Sequence, residues 1–146
     1  MKRVHKSVLL WYSPREMFDL VTAIEDYPRF LPWCDSAEVI ERSAHDVVAR
    51  LTLVKGGVRY AFTTHNRYLD GTQVSVELVD GPFSALDGHW QFLPVGISAA
   101  CRIEFDLRYA FSNAALEALV SPVFDRIANT MVDSFVARAE QVHGPR

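Results

Sequence analysis

The sequence predicts an α+β domain in which an antiparallel sheet of about six or seven strands packs against one long C-terminal helix. Several segments alternate between apolar and polar residues with a period of two, which is typical of strands with one buried face. The end of the chain repeats apolar residues at spacings of three and four, which indicates an amphipathic helix. Because an apolar sheet face must be covered, we expect this helix to lie on it, with a cavity between the two.

Length and composition indicate a single domain spanning residues 1–146. With 49% hydrophobic residues, the chain is too apolar to be disordered and large enough to enclose a cavity. The net charge of −3 gives no overall basic signal, so DNA is not an expected partner.

The sequence shows no targeting signal that we can identify. The apolar run at residues 8–11 is too short for a signal peptide, and no run approaches the roughly 18 apolar residues of a membrane span. Cys34 and Cys101 lie far apart and outside metal-ligand spacing, so we expect two reduced, buried thiols. The predicted location is the cytoplasm.

A first strand is expected before residue 13, and the first helix is clearly marked after it. Residues 13–16 read Ser-Pro-Arg-Glu, a capping box with proline at the first helical position, where its missing N–H costs nothing. Tyr12 and Met17 occupy the two positions of a hydrophobic staple. The helix then presents one apolar stripe, formed by Met17, Leu20, Val21 and Ile24.

The segment 27–34, which reads YPRFLPWC, follows that helix and combines large apolar side chains with two prolines. Pro28 and Pro32 are expected to end the helix and to prevent regular structure. Two interpretations of the aromatic rings remain open. They either plug or gate the cavity entrance, or face outward as a membrane contact, and we favour Trp33 partly buried at the rim.

Four stretches after this segment alternate clearly, namely 58–68, 74–78, 86–92 and 99–109. In the last of these, the odd positions from Ala99 to Tyr109 are apolar and the even positions are mostly charged. Such alternation predicts antiparallel strands with one face on a core and one in water. The turns between strands are marked by Gly56-Gly57, Asp70-Gly71, Asp80-Gly81-Pro82 and Pro94-Val95-Gly96.

The final helix is predicted from Leu116 to Val142, where apolar residues recur every three or four positions. Ser121-Pro122 marks either a kink in this helix or a fresh start. Gly144 is the expected stop signal.

Catalytic motifs are absent from the sequence. It contains no G-x-G-x-x-G, Walker A, H-E-x-x-H or G-x-S-x-G motif, so we expect no enzyme activity, no metal site and no required cofactor. His65 and His89 fall on predicted polar faces of strands, where exposure to solvent is favoured over acid–base catalysis.

Three groups of residues are spaced as in a known family. They are Asp26-Tyr27-Pro28 with Phe30-Leu31-Pro32-Trp33-Cys34, Gly81-Pro82-Phe83 with Leu86, Gly88-His89-Trp90 and Phe92, and Met131-Val132 with Phe135 and Arg138. Over nearly its whole length the chain resembles the coenzyme Q-binding START-domain family of the polyketide cyclase/START superfamily. That family includes mitochondrial coenzyme Q-binding proteins and bacterial ribosome-association toxins. The resemblance implies a helix-grip fold, a curved antiparallel sheet wrapped around a C-terminal helix.

The resemblance also implies non-catalytic binding of an apolar ligand in the cavity, with ubiquinone or a similar polyprenyl lipid as the leading candidate, in support of respiration or quinone biosynthesis. The expected ligand-binding residues are Tyr27, Phe30, Trp33, Tyr60, Phe62, Asn66, Phe83, Trp90, Phe105, Tyr109, Phe124, Ile127, Met131 and Phe135. Simple core packing is the alternative for each aromatic residue. Asn66 and Thr64 are polar on an apolar face, so a quinone oxygen or an ordered water is an expected partner.

A lipid-soluble ligand would require transient contact with a membrane, so peripheral binding at the inner membrane is part of this hypothesis. Trp33, Phe30 or Phe83, if exposed, could insert at the bilayer interface, where aromatic rings are favoured.

The resemblance also implies an alternative function, that of a ribosome-association toxin. Such a protein would bind the large ribosomal subunit and block subunit joining. Five arginines fall on predicted solvent-exposed strand faces: Arg50, Arg59, Arg67, Arg102 and Arg108. Acidic neighbours such as Glu77, Glu104 and Asp106 are expected to pair with such arginines across strands. A third candidate, a polyketide cyclase or aromatase, would need polar catalytic groups inside the cavity, and the predicted inward positions are nearly all apolar.

Overall fold

A computed structural model describes residues 1–97 and 99–146. Its elements, in chain order, are β1 (Lys2–Leu10), α1 (Pro14–Thr22), a 3₁₀ helix (Ile24–Arg29), β2 (Cys34–Arg42), β3 (Asp46–Lys55), β4 (Val58–Leu69), β5 (Gln73–Asp80), β6 (Phe83–Pro94), β7 (Cys101–Phe111) and α2 (Ala114–His143). The predicted α+β class, with its antiparallel sheet and long final helix, is confirmed.

The seven strands form one antiparallel sheet in the order β1-β7-β6-β5-β4-β3-β2. Strands β2 to β7 pair in sequence order, and β1 joins the sheet beside β7, so β1 and β2 are its two edges. Helix α2 covers the apolar face with Val120, Phe124, Ile127, Ala128, Val132, Phe135 and Ala139. This arrangement of a curved sheet around one helix is the predicted helix grip.

Helix α1 begins at the predicted capping box. The Ser13 Oγ accepts a hydrogen bond from the Glu16 backbone N–H at 3.1 Å, and the Glu16 carboxylate accepts one from the Ser13 backbone N–H at 2.9 Å. Close by, the Tyr12 hydroxyl donates to the Gly144 carbonyl at 2.8 Å. The start of α1 is therefore tied to the end of α2.

The prediction that prolines exclude regular structure from segment 27–34 is wrong. The 3₁₀ helix at Ile24–Arg29 includes Pro28. Such a short helix loses only one hydrogen bond to proline, and the fixed φ of the proline ring suits 3₁₀ geometry. Tyr27, Leu31 and Trp33 are buried, whereas Phe30 is half-buried, so the rings of this segment belong to the core rather than to an exposed loop.

Helix α2 runs for 30 residues through Pro122 without a new start. Its N-cap is Asn113, whose side-chain oxygen accepts a hydrogen bond from the Leu116 backbone N–H at 2.8 Å. Gly144, at φ 79°, ends the helix as predicted, with its N–H donating to the Glu140 carbonyl.

Strand β7 confirms the predicted alternation, with a later start. It begins at Cys101 rather than Ala99, which is exposed and precedes the strand. The odd positions from Cys101 to Tyr109 are buried, and the even positions face outward. The inner face of β7 is therefore apolar.

Candidate functional site

A cavity of about 100 Å³ lies between the inner face of the sheet and α2. Ten of the fourteen residues predicted to bind a ligand line it: Tyr27, Trp33, Phe62, Asn66, Trp90, Phe105, Phe124, Ile127, Met131 and Phe135. The sheet, the 27–34 segment and α2 each contribute to the wall, because their apolar faces converge at this level of the fold.

Four predicted lining residues lie elsewhere: Phe30, Tyr60, Phe83 and Tyr109. Phe83 and Tyr109 pack on Phe124 with ring centroids 4.8 Å away in each case. Their rings fill one end of the space between sheet and helix and so confine the cavity to the other part. Phe30 packs on Phe135 at 5.4 Å, and Tyr60 packs half-buried against the core. Strand alternation predicted that the strand residues among these point to the inner face of the sheet. It did not predict which part of α2 they would lie against.

Seven further residues line the cavity: Leu51, Thr64, Val76, Leu86, Gly88, Leu107 and Ala128. Thr64 was expected on the inner face, and most of the others are inward positions of strands, which the same alternation identifies. Gly88 keeps part of the wall open, because a Cβ there would stand 3.2 Å from Leu107 Cδ1.

The polar groups of the cavity are concentrated in Thr64 and Asn66. The Thr64 hydroxyl donates to the Asn66 side-chain oxygen at 2.9 Å, and the two residues are 5% and 9% exposed. An asparagine amide also carries two N–H donors. The pair can therefore offer a hydrogen bond to a carbonyl oxygen or a water molecule inside the cavity.

The cavity is small for a ligand. A cavity of roughly 150 Å³ in an apolar core holds one benzene molecule, and sites for larger ligands measure roughly 300–1,000 Å³. Part of the wall is also fixed, because the buried Tyr27 hydroxyl donates to the Val21 carbonyl and its burial raises the pKa of this phenol. A quinone with a polyprenyl tail could enter only if the wall opened.

Trp33 and Ile127 line both the cavity and a second, external space, which we call the Trp33 cleft. This cleft has a volume of about 350 Å³ and lies between the 27–34 segment, the end of β3 and α2. Its other lining residues are Pro32, Val54, Lys55, Arg126, Thr130 and Ser134. Trp33 is therefore a wall shared by an internal and an external space.

Two of the three rings expected to insert at a membrane lie in the core. Insertion at a bilayer requires exposed rings, yet Trp33 is only 7% exposed and Phe83 only 5%. Phe30 is half-buried, and the Arg138 guanidinium lies 5.0 Å from its ring centroid. None of the helices in the described part of the chain combines the length and apolarity needed to cross a membrane.

The outer face of the sheet is charged but balanced. Arg59 pairs with Asp35 at 3.1 Å, Arg67 with Glu77 at 3.7 Å and Arg108 with Asp87 at 2.8 Å. Each pair joins two different strands, as predicted for these arginines. Arg102 instead pairs along its own strand with Glu104, and Arg50 donates to the Thr63 hydroxyl. Asp106 pairs with Arg3 at 2.7 Å.

No metal centre or reactive thiol is evident in the residues that the structure describes. Among residues 1–97 and 99–146, no group of three or more His, Cys, Asp or Glu side chains could hold a metal ion. Cys34 and Cys101 are buried free thiols, as predicted. Burial raises the pKa of each to about 11, which keeps them protonated and poorly nucleophilic near neutral pH.

Comparisons with known proteins agree with this fold. The sequence profile of the family described as "Polyketide cyclase / dehydrase and lipid transport" matches residues 10–136. The Zhui aromatase/cyclase from Streptomyces sp. R1128 superposes with a TM-score of 0.83 over 96% of this chain and 94% of that chain. At 12% sequence identity, that likeness shows the fold alone.

Two curated relatives differ in what their names describe. The ribosome association toxin RatA of Pseudomonas aeruginosa is 41% identical over 141 residues, which cover 97% of each chain. The mitochondrial coenzyme Q-binding protein COQ10 homolog B of Xenopus laevis is 27% identical over 143 residues, which cover 95% of this chain and 58% of that protein.

Proposed function

The chain belongs to the polyketide cyclase / dehydrase and lipid transport family, and on that premise we propose that it associates with ribosomes. The observation that carries this proposal is the 41% identity, over 97% of both chains, with a protein named ribosome association toxin. Binding of the large subunit, with a block of subunit joining, is the specific form of the proposal, and it would place the protein in the cytoplasm. This ranking reverses the order expected from the sequence, in which ubiquinone binding came first.

The cavity supports a role without catalysis. Among its described lining residues, the polar side chains are the Thr64–Asn66 pair, the indoles of Trp33 and Trp90, and Tyr27, whose hydroxyl already bonds a backbone carbonyl. General acid–base catalysis needs a positioned titratable group of suitable pKa, and burial pushes the Tyr27 pKa upward, away from neutrality. We therefore assign the activity to the outer surface.

The proposal is tested by sedimentation of the purified protein with separated ribosomal subunits at low and moderate salt. We expect the protein to travel with the large subunit and to reduce the fraction of joined ribosomes when it is added before the small subunit. An unrelated acidic protein of similar size is the control for trapping in the pellet. Failure to sediment with either subunit at low salt would refute the proposal.

A second candidate function is binding of ubiquinone or another polyprenyl lipid in the cavity. The Thr64–Asn66 pair favours it, because it offers hydrogen bonding within an otherwise apolar wall, and the resemblance to the coenzyme Q-binding protein points to the same chemistry. Such binding requires opening of the wall and would bring the protein to the membrane surface for loading. We propose no separate cofactor for either role.

This second candidate is tested by solvent extraction of protein purified from its own host, followed by mass spectrometry. A polyprenyl quinone at near-stoichiometric amount supports it. A variant in which Thr64 becomes Val and Asn66 becomes Leu should carry much less quinone while remaining folded. An extract free of lipid from protein that binds ribosomes would leave ribosome association as the sole proposal.

A further inference from the structure

Positive charge is unevenly neutralised on this protein. Of the twelve arginines and three lysines, most form an ion pair with a carboxylate within 4.0 Å. In the described part of the chain, those without such a pair are Lys6, Arg50, Lys55, Arg126 and Arg138. The last three lie where the 27–34 segment meets α2, so uncompensated positive charge is concentrated at that seam.

The Trp33 cleft holds two of these cations. Lys55, at the end of β3, and Arg126, on α2, both line it, and its described lining residues include no carboxylate. The concavity on the outer sheet face is different, because its lining combines Arg3 and Arg108 with Asp87, Glu104 and Asp106. A cleft lined by one sign of charge concentrates counter-ions, whereas a mixed lining cancels much of its own field.

Helix α2 extends from the cleft along one row of residues that ends at a second arginine. Arg126, Thr130, Ser134 and Arg138 follow one another at intervals of four residues, which places them on a single row of the helix surface. At a rise of 1.5 Å per residue, the two arginines are separated by about 18 Å along the helix axis. Such a row can contact more than one phosphate of an extended or helical nucleic-acid strand.

The side chains between the arginines keep the row accessible. The Thr130 hydroxyl donates to the Arg126 carbonyl at 2.8 Å, and the Ser134 hydroxyl donates to the Thr130 carbonyl at 3.1 Å. These short residues fold back on the helix, so the cleft stays open. At the far end, the Arg138 guanidinium lies over the Phe30 ring at 5.0 Å, and its Nη1 donates to Gln141 Oε1 at 3.3 Å, which leaves its other N–H groups available to a partner.

We propose that the Trp33 cleft binds backbone phosphates of ribosomal RNA through Lys55 and Arg126, with Arg138 as a further contact along the row. This inference rests on the proposed ribosome association and assigns it a surface. Lysine and arginine are the side chains that bind phosphate best, arginine through two parallel N–H bonds. Phosphate contacts of this kind dominate the affinity of proteins for nucleic acids and make it salt-dependent.

The test compares variants that remove one cation each: Lys55→Ala, Arg126→Ala and the double variant. Arg59→Ala and Arg67→Ala are matched controls, because both arginines are more than half exposed but neutralised by Asp35 and Glu77. Binding to large subunits is measured between about 50 and 200 mM salt, the range over which phosphate contacts weaken strongly. Urea denaturation verifies that all variants are folded.

We expect each cleft variant to weaken binding several-fold and to reduce the slope of log affinity against log salt by about 0.7–0.9 for each lost contact. The control variants should change affinity less than about twofold, since their arginines serve pairs within the protein. Lys55→Arg should bind nearly as tightly as the wild type, because arginine keeps the positive charge that Lys55→Ala removes. Protein-free large-subunit RNA should compete with the subunits for the wild-type protein.

Two results would overturn the assignment while leaving ribosome association intact. The first is a double variant that binds large subunits with the affinity and salt slope of the wild type. The second is binding that depends on Lys55 and Arg126 but is not competed by protein-free RNA, which would point to an acidic ribosomal protein as the partner. A wild-type protein that binds no ribosomal particle would instead refute the proposed function itself.

Discussion

The Glu16 carboxylate links the beginning and the end of the chain. It accepts hydrogen bonds from Arg146 Nη1 at 2.7 Å and from the Ser13 backbone N–H at 2.9 Å, and His143 Nδ1 lies 3.5 Å away. The Arg146 bond and then the Ser13 bond lower the pKa of Glu16 to about 2. Since the folded-state pKa lies below the unfolded one, this carboxylate stabilises the protein above about pH 4.5, and that contribution is lost as pH falls towards 2.

Glu16→Gln tests this contribution, because glutamine preserves the capping box but not the charge. We expect the free energy of unfolding at pH 7 to fall by about 0.5–1 kcal/mol, the usual range for a partly exposed ion pair. The difference from wild type should shrink below pH 4.5, as urea denaturation at pH 7 and pH 3 would measure. Asp133→Asn on the exposed side of α2 is the control, and a difference independent of pH would contradict the assignment.

The Thr64–Asn66 hydrogen bond leads to a prediction about coupled residues. Asn66→Leu alone leaves the buried Thr64 hydroxyl without its acceptor, so we expect a loss of about 1–3 kcal/mol. The double variant Thr64→Val/Asn66→Leu removes both polar groups, so its free energy of unfolding should lie within about 1 kcal/mol of the wild-type value. Thermal and urea unfolding of the wild type, Thr64→Val, Asn66→Leu and the double variant give the coupling energy of the pair. Strictly additive losses would show that the two side chains act independently.

At the scale of elements, Pro122 is a local weakness of α2. It is exposed, nine residues into the helix, and cannot donate a hydrogen bond to the carbonyl of Ala118. Residues 114–119 are mostly exposed, so tertiary packing does little to hold this first part of the helix. Helix formation before Pro122 therefore depends on the Asn113 cap.

Pro122→Ala should stabilise the protein by about 1–2 kcal/mol. Proline costs roughly 3 kcal/mol relative to alanine within a helix, and about 1 kcal/mol of this is recovered because proline restricts the unfolded chain. Urea denaturation measures the gain, and hydrogen exchange should slow at residues 114–121. Asn113→Ala is the opposing control, with an expected loss of about 1 kcal/mol. A destabilised Pro122→Ala protein would contradict this account.

Elements with regular patterns were predictable from sequence. The capping box located α1, clean alternation located β7, and the apolar repeat located α2. Strand β2 carries no such pattern, because register shifts at Cys34/Ser36 and Val39/Glu41 break its alternation and its edge position exposes most of its side chains. The 3₁₀ helix was missed because its proline suggested a loop.

The cavity was predictable in outline for a related reason. Alternation identifies which residues point inward, and ten of the fourteen expected residues line the cavity. It does not reveal which rings touch each other, so Phe83 and Tyr109 were assigned to the wall although they fill its neighbouring core. Nor could it identify the Trp33 cleft, whose cations come from β3 and α2, separated by about 70 residues of sequence.

At the scale of the whole molecule, the two proposed activities would use separate surfaces. The Thr64–Asn66 pair lies inside the fold, and the Lys55–Arg126 pair lies outside it. We expect the Thr64→Val/Asn66→Leu variant to lose any bound quinone but to sediment with ribosomes like the wild type. The Lys55→Ala/Arg126→Ala variant should keep any bound quinone but lose sedimentation with ribosomes. Parallel extraction and sedimentation of both variants measure this, and joint loss in one variant would mean that the surfaces are not separate.

The two surfaces are not fully independent, because Trp33 belongs to both. Its indole contributes to the wall of the cavity and to the wall of the cleft, so a molecule that displaced the ring to enter one space would reshape the other. Linkage then requires reciprocity: whatever factor a bound lipid imposes on the affinity for ribosomes, ribosomes impose on the affinity for that lipid. One buried side chain would thereby couple the two proposed binding events.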